Sequence, residues 1–184
     1  MNRSRRWLIA AALPCAAALL SACASTDVTL TPPQQTPVCN PAAAARVLWT
    51  TRWRPDQKDV AARETAAAQG LVRFFAESGC FAQTTVHRLP QPDQPDEAFD
   101  TVVTIEVREL GPVVRLLSSA ALIEGGTEVV LQISDREPRS MRPQREFTVH
   151  WRHGGPGVIK GIASLPDDMY AALRSGLQTE AIRR

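Results

Sequence analysis

The stretch TVVTIEVREL, residues 101–110, alternates apolar and polar side chains. Successive side chains of an extended chain point to opposite faces, so Val103, Ile105 and Val107 share one face of a strand. A strand that is apolar on one face belongs to a sheet with one face packed on a core and the other in water. The pattern therefore predicts a half-buried strand.

Two further strands are predicted after this one. Residues 120–134, AALIEGGTEVVLQIS, predict a hairpin that turns at Gly125 and Gly126, because paired glycines fit a tight turn. Residues 145–153, REFTVHWRH, alternate in the same way. The residues expected to face the core are Val129, Leu131, Ile133, Phe147, Val149 and Trp151.

Three elements are predicted nearer the N-terminus. Residues 45–53, ARVLWTTRW, have the alternation of a first strand. Residues 59–78 predict a helix, because their apolar residues form one stripe and Gly79 follows at its end. Residues 81–89, FAQTTVHRL, predict another strand.

The chain closes with a second helix, SLPDDMYAALRSGLQTEAIRR. Ser164 and Asp167 have the spacing of a capping box at its start. Its apolar residues recur every four positions, at Met169, Leu173 and Leu177. Helices segregated over antiparallel strands predict an α+β two-layer sandwich, with a mostly antiparallel sheet of about five strands and two helices on one face.

Residues 66–89, AAAQGLVRFFAESGCFAQTTVHRL, place a helix before a small-residue turn and a strand. This segment and the order of elements resemble small periplasmic lipoproteins related to penicillin-binding-protein activators and curli-secretion factors. The resemblance implies a shared architecture. Because fold does not determine function, the resemblance assigns no functional residue.

The N-terminus has the order of an export signal. Arg3, Arg5 and Arg6 precede an uncharged apolar run at residues 7–20. The run has 14 residues, whereas a membrane-spanning helix needs about 20. We therefore expect residues 1–22 to be removed as a signal peptide.

Leu20, Ser21, Ala22 and Cys23 resemble the lipobox of bacterial lipoproteins. The resemblance implies that the Cys23 thiol carries a diacylglyceryl group, that the chain is cut before Cys23, and that palmitate or a similar acyl chain joins the new amino terminus. By analogy with enterobacterial sorting, Ala24 in place of aspartate implies a lipid anchor in the outer membrane, with the protein facing the periplasm. The alternative is a conventional signal peptide with Cys23 merely near the cleavage site.

Removal of the signal changes the net charge. The full chain carries +2, with 21 basic and 19 acidic residues. Three basic residues and no acidic ones lie in residues 1–22, which leaves 18 basic against 19 acidic residues and a net charge of −1. Nucleic-acid binding requires a concentrated basic surface, and this composition gives no reason to expect one, so no nucleic-acid partner is expected.

Residues 23–38 are polar, rich in threonine and proline, and without helical or strand periodicity. They predict a lipidated, flexible tether. Residues 39–184 then form one α+β periplasmic domain.

Cys39 and Cys80 remain in the exported chain. In an oxidising periplasm such a pair favours a disulfide. The end of the first helix is expected near the start of the first strand, which brings these cysteines together. A redox or metal role is the alternative, although the chain has no C-x-x-C motif.

No constellation of catalytic residues is visible. On a strand, His150 and His153 fall on opposite faces, and His153 is expected in a turn, so neither is expected to bind a metal. Asp167 and Asp168 are explained by the positive end of the helix dipole. We therefore expect no enzyme activity, no metal site and no cofactor.

One loop is a candidate anion-binding site. Arg136, Arg139, Arg142 and Arg145 recur every third residue between prolines, and arginine forks suit phosphate groups and anionic polymers. The alternative is a solvated loop balanced by neighbouring acidic residues.

Two functions fit these observations. The first is a non-catalytic, lipid-anchored envelope lipoprotein that acts as an accessory or scaffold for an envelope assembly, bound to the membrane through its lipid and to another envelope protein. The second is a periplasmic binding module for an anionic envelope glycan or lipid, with residues 136–145 as the contact.

Overall fold

The computed structural model describes residues 24–33, 35–90, 96–117 and 122–178. In chain order the elements are β1 (Ser25–Thr31), β2 (Asn40–Thr51), α1 (Val60–Glu77), β3 (Phe81–Arg88), β4 (Thr101–Leu117), β5 (Leu122–Arg136), β6 (Arg145–Pro156) and α2 (Leu165–Leu177). Short 3-10 helices lie at Asp96–Ala98 and Ile162–Ser164.

The strands form one sheet in the order β1-β6-β5-β4-β2-β3. β2 is parallel to both β3 and β4, and the other neighbouring pairs are antiparallel. Since parallel neighbours need a crossover, α1 connects β2 to β3. The fold is α+β, as predicted. In the described part of the chain the sheet is mixed and has six strands rather than about five.

The alternation predicted for β4, β5 and β6 is confirmed. The predicted inward residues are all buried, and they pack in one cluster with residues of both helices, so α1 and α2 cover the same face of the sheet. The strand residues concerned are Val103, Ile105, Val107, Val129, Leu131, Ile133, Phe147, Val149 and Trp151.

The two helices approach closely at Gly70 of α1. A Cβ on Gly70 would lie 2.6 Å from the Cβ of Met169 and 2.8 Å from the carbonyl oxygen of Pro166, both on α2. Glycine weakens an isolated helix by about 1 kcal/mol relative to alanine. Here the missing side chain allows the α1–α2 contact.

The hairpin predicted at Gly125 and Gly126 is wrong. Both glycines lie inside β5, and Gly125 pairs with Val114 of β4 and with Gly155 of β6. A Cβ on Gly125 would lie 2.0 Å from the carbonyl oxygen of Val158. The glycine therefore serves a close backbone approach instead of a turn.

Part of the predicted tether is a strand. β1 pairs antiparallel with β6, with Ser25 opposite Gly154 and Thr31 opposite Thr148. Most residues of β1 are exposed on both faces, and only Leu30 packs against the core. The prediction of an unstructured tether is therefore corrected for Ser25–Thr31, which is held by backbone hydrogen bonds at the sheet edge.

The capping box predicted at the start of α2 is also wrong. Ser164 has helical backbone angles and makes no side-chain cap hydrogen bond. Its hydroxyl lies 3.0 Å from the carbonyl oxygen of Gly161 and 3.1 Å from a carboxylate oxygen of Asp168. The preceding 3-10 turn leads directly into the helix, so no capping position separates the two.

Candidate functional site

The first candidate functional site is the end of the sheet where β1 begins, because the predicted lipidation site, Cys23, lies just before this strand. Residues 1–22 and Cys23 lie outside the described residues, so the signal peptide and the lipidation of Cys23 remain predictions. Ser25 is two residues beyond Cys23, and a chain of that length spans at most about 7 Å. We call the ladder that joins Ser25, Gly154, Gly126 and Val113 the anchor end of the sheet.

No helix in the described ranges is both long enough and apolar enough to cross a membrane.

The predicted disulfide between Cys39 and Cys80 is present, with 4.6 Å between their Cα atoms. It connects the segment before β2 to the segment before β3. The amides of Val38 and Cys39 also donate to the carbonyl oxygen of Leu177, at 3.0 and 3.3 Å. The disulfide and these bonds together attach the start of β2 to both helices.

Two of the four predicted loop arginines hold the loop itself. Arg136 donates through Nη1 to the carbonyl oxygens of Pro138 and Ser140, each at 3.1 Å. Arg145 makes a two-pronged contact with Asp135, at 2.9 and 2.6 Å, and donates to the carbonyl oxygen of Pro37 at 2.8 Å. The guanidinium groups of Arg136 and Arg145 therefore already bond to groups of the protein itself.

Arg139 and Arg142 differ from the other two. Both are exposed, and neither side chain makes a hydrogen bond or ion pair with another described residue. Met141, between them, is 91% exposed. The structure therefore narrows the candidate anion site from four arginines to these two.

The arginine loop lies far from the anchor end. Arg145 begins β6, and Gly154 lies nine residues further along that strand. At about 3.4 Å per residue this separation is roughly 30 Å. The two candidate sites therefore occupy opposite ends of the sheet.

Asp96 connects the arginine loop to β2, and sequence reasoning missed it. Its carboxylate accepts hydrogen bonds from Arg136, at 2.6 Å, and from the buried Arg46 of β2. Burial raises the pKa of Asp96, but the hydrogen bonds from Arg136 and Arg46 outweigh this and hold the pKa below its ordinary value. Asp96 lies in a proline-rich loop whose pattern does not indicate that both arginines converge there.

The face of the sheet opposite the helices carries paired charges. Arg108 of β4 donates to Glu106 at 2.8 Å and also contacts Gln132 of β5. Arg52 lies 3.4 Å from Glu106. A second carboxylate, Glu146, lines the same shallow depression as Arg52, Arg108 and Glu106. Two acidic residues therefore balance the two arginines among the described residues at this place.

Asp168 is the centre of a buried polar cluster. Its carboxylate accepts hydrogen bonds from Thr127 at 2.7 Å and from Lys160 at 2.9 Å, and only 4% of Asp168 is exposed. The helix dipole, which was predicted to explain Asp168, is therefore only part of the explanation. The carboxylate also ties β5 to the segment between β6 and α2.

His150 and His153 lie on opposite faces of β6, as predicted, but His153 is in the strand and not in a turn. Its Nδ1 lies 2.9 Å from Oγ1 of Thr26 on β1. No group of three or more His, Cys, Asp or Glu side chains within the described ranges is arranged to hold a metal ion.

No family model and no curated protein matches the chain. Among solved structures it is similar to the PelC dodecamer from Paraburkholderia phytofirmans, with 12% identity over 82% of this chain and 95% of that chain, at a TM-score of 0.42. Lipoprotein GNA1162 from Neisseria meningitidis matches with 12% identity over 74% and 99%, at a TM-score of 0.40. A DUF330 protein from Xanthomonas campestris matches with 16% identity over 80% and 85%, at 0.38. At TM-scores this low, no inference rests on these similarities.

Proposed function

We propose that this chain is a lipid-anchored lipoprotein of the bacterial cell envelope, held at the outer membrane through Cys23 and facing the periplasm, where it acts as a non-catalytic accessory or scaffold. The observation that carries the proposal is the position of Cys23. The lipobox-like sequence ends there, and β1 begins two residues later. Cleavage before Cys23 would remove no described residue of the sheet.

An accessory role is supported by how the polar side chains are used. Asp168, Arg136 and Arg145 each bond to groups of the same chain. These side chains hold loops and strands in place, and their polar atoms are engaged within the protein. A disulfide-linked domain with such fixed loops is suited to present a surface to a protein partner.

The second candidate function is binding of an anionic periplasmic glycan by Arg139 and Arg142. The observation that favours it is that both are exposed and make no side-chain hydrogen bond or ion pair with another described residue, on a loop that Arg136 and Arg145 hold in shape. Roughly 30 Å of strand separate the arginine loop from the anchor end of the sheet. At that distance from the lipid anchor, a glycan is a better candidate ligand than the headgroups of the lipid leaflet that holds the anchor.

Lipid anchoring is tested by Cys23→Ala in cells labelled with radioactive palmitate, followed by membrane flotation. Wild type should be labelled and should float with the outer membrane. The variant should carry no label and keep its signal peptide. Cys15→Ala is the matched control and should behave as wild type. Processing and normal flotation of Cys23→Ala would contradict the proposal.

The accessory role is tested by chemical crosslinking of intact cells that produce the tagged protein. We expect a defined envelope protein to be recovered with the wild type and in smaller amount with Cys23→Ala, because the variant lacks the lipid that would hold it at the outer membrane. Recovery of no crosslinked protein would contradict the scaffold role.

A further inference from the structure

Two strongly exposed apolar side chains, Val114 and Ile159, lie near the anchor end. In the described ranges, six large hydrophobic side chains are exposed: Val28, Val72, Val114, Met141, Ile159 and Ile162. Ile159 is 94% exposed and Val114 is 68% exposed. Single exposed apolar side chains are common, but several that lie together mark a surface that another molecule or a membrane covers.

Val114 and Ile159 lie beside the same glycine. Gly125 of β5 pairs with Val114 of β4 on one side and with Gly155 of β6 on the other. The neighbour of Gly155 in β6, Gly154, pairs with Ser25 of β1. A Cβ on Gly125 would lie 3.9 Å from the Cα of Ile159. These two apolar side chains therefore lie close to the point where the chain leaves towards Cys23.

The segment that carries the isoleucines, residues 158–162, is called the apolar loop here. The amide of Val158 donates to the carbonyl oxygen of Gly155 at 3.2 Å, and Lys160 pairs with the buried Asp168 at 2.9 Å. The pairing neutralises the lysine between the two isoleucines. The apolar loop is thus held to the sheet and presents its isoleucines without a free charge between them.

We infer that the apolar loop and Val114 lie against the lipid bilayer that holds the acyl chains, an inference that rests on the proposed lipidation of Cys23. The Cα of Cys23 is within about 7 Å of that of Ser25, so the acyl chains enter the bilayer beside the anchor end. Apolar side chains at this level gain free energy when they move into the boundary between headgroups and acyl chains. The contact directs Arg139 and Arg142 away from the membrane.

The test uses the full lipidated protein with one added tryptophan, Ile159→Trp or Met141→Trp. Both positions are almost fully exposed, and they lie at opposite ends of the sheet. Each variant is reconstituted in vesicles of phosphatidylethanolamine and phosphatidylglycerol, with or without phosphatidylcholine that is brominated near the headgroup end of its acyl chains. Circular dichroism confirms that both variants keep the wild-type fold.

We expect bromine to quench the emission of Ile159→Trp more than that of wild type, with a blue shift, and to leave the added emission of Met141→Trp unchanged. Flotation without quenching of Ile159→Trp would overturn the bilayer contact while leaving the lipid anchor intact. A blue shift without quenching would assign the apolar loop to a protein or a second copy, and would also overturn the inference. Failure of the wild-type protein to float would instead refute the proposed anchoring.

Discussion

The guanidinium group of Arg63 fills the space in which a side chain on Gly111 would begin. A Cβ on Gly111 would lie 1.6 Å from Nη1 of Arg63. The same Nη1 donates to the carbonyl oxygen of Leu110 at 2.5 Å and to the carboxylate of Glu109 at 3.2 Å. Arg63 is buried in the first turns of α1, so this contact fixes the start of the helix on β4.

We expect Gly111→Ala to lower the free energy of unfolding by about 1–3 kcal/mol, because Arg63 must give up hydrogen bonds in a buried site. Urea denaturation measures the change. Gly161→Ala is the control, since no atom lies within 4 Å of the added Cβ. The effect of Gly111→Ala should largely disappear in an Arg63→Met background, and an equal cost in both backgrounds would contradict this account.

Asp96→Asn should destabilise the protein at neutral pH by about 1–3 kcal/mol, because Arg46 and Arg136 lose their shared carboxylate. The pKa of Asp96 is lower in the folded state, so its contribution is present above the pKa of the unfolded chain and is lost as pH falls through the folded pKa. The difference between wild type and variant should therefore narrow below about pH 4.

Denaturation at several pH values measures the Asp96 effect. Asp56→Asn is the control, because Asp56 is exposed and its ion pair with Arg54 is long, at 3.9 Å. A difference between wild type and Asp96→Asn that stays constant down to the acid transition would show that the carboxylate charge is not the cause.

Replacement of both disulfide cysteines, Cys39→Ser with Cys80→Ser, should lower the free energy of unfolding. The two residues are 41 apart, and closing a loop of that size stabilises by about 4 kcal/mol in the chain-entropy model. Wild type in reducing agent should lose a similar amount, whereas the double variant should not respond. Equal stability of oxidised wild type and the double variant would refute a stabilising role.

Arg139→Glu with Arg142→Glu should abolish binding to purified sacculi if the second candidate function is correct, and should leave stability within about 0.5 kcal/mol because both side chains are exposed. Arg136→Gln is the contrasting variant. It should lower stability, because Arg136 bonds to Asp96 and to loop carbonyl oxygens. Undiminished sacculus binding by the double glutamate variant would exclude this loop as the contact.

The sequence predicts those parts of the fold in which burial repeats with a regular period. β4 shows both the success of this reasoning and its limit. Val103, Ile105 and Val107 are buried as the alternation requires, but the pairing with β5 shifts register between Val107 and Glu109, and Leu110 is buried as well. The pattern alone does not reveal such a bulge, because it depends on the partner strand.

Features that depend on distant parts of the chain were missed. Gly125 and Gly126 satisfy the local rule for a turn, yet the Val158 backbone beside Gly125 is the contact that requires a glycine. At the candidate sites, the spacing of the four loop arginines is visible in sequence. The division into two engaged and two exposed arginines depends in part on Asp96 and Pro37, which belong to other segments of the chain.

The pairing of β1 with β6 determines when β1 can join the sheet, and for the proposed exported lipoprotein this has a consequence for Cys23. Ser25 and Gly154, which lie opposite each other, are 129 residues apart in the chain. In an exported chain, β1 therefore cannot join the sheet until β6, Arg145–Pro156, has also been translocated. During that interval we expect Cys23 to stand at the end of a free strand, open to the enzymes that would acylate and cleave there. If Cys23 is the lipidation site, we therefore expect its acylation and cleavage to precede the pairing of β1 with β6.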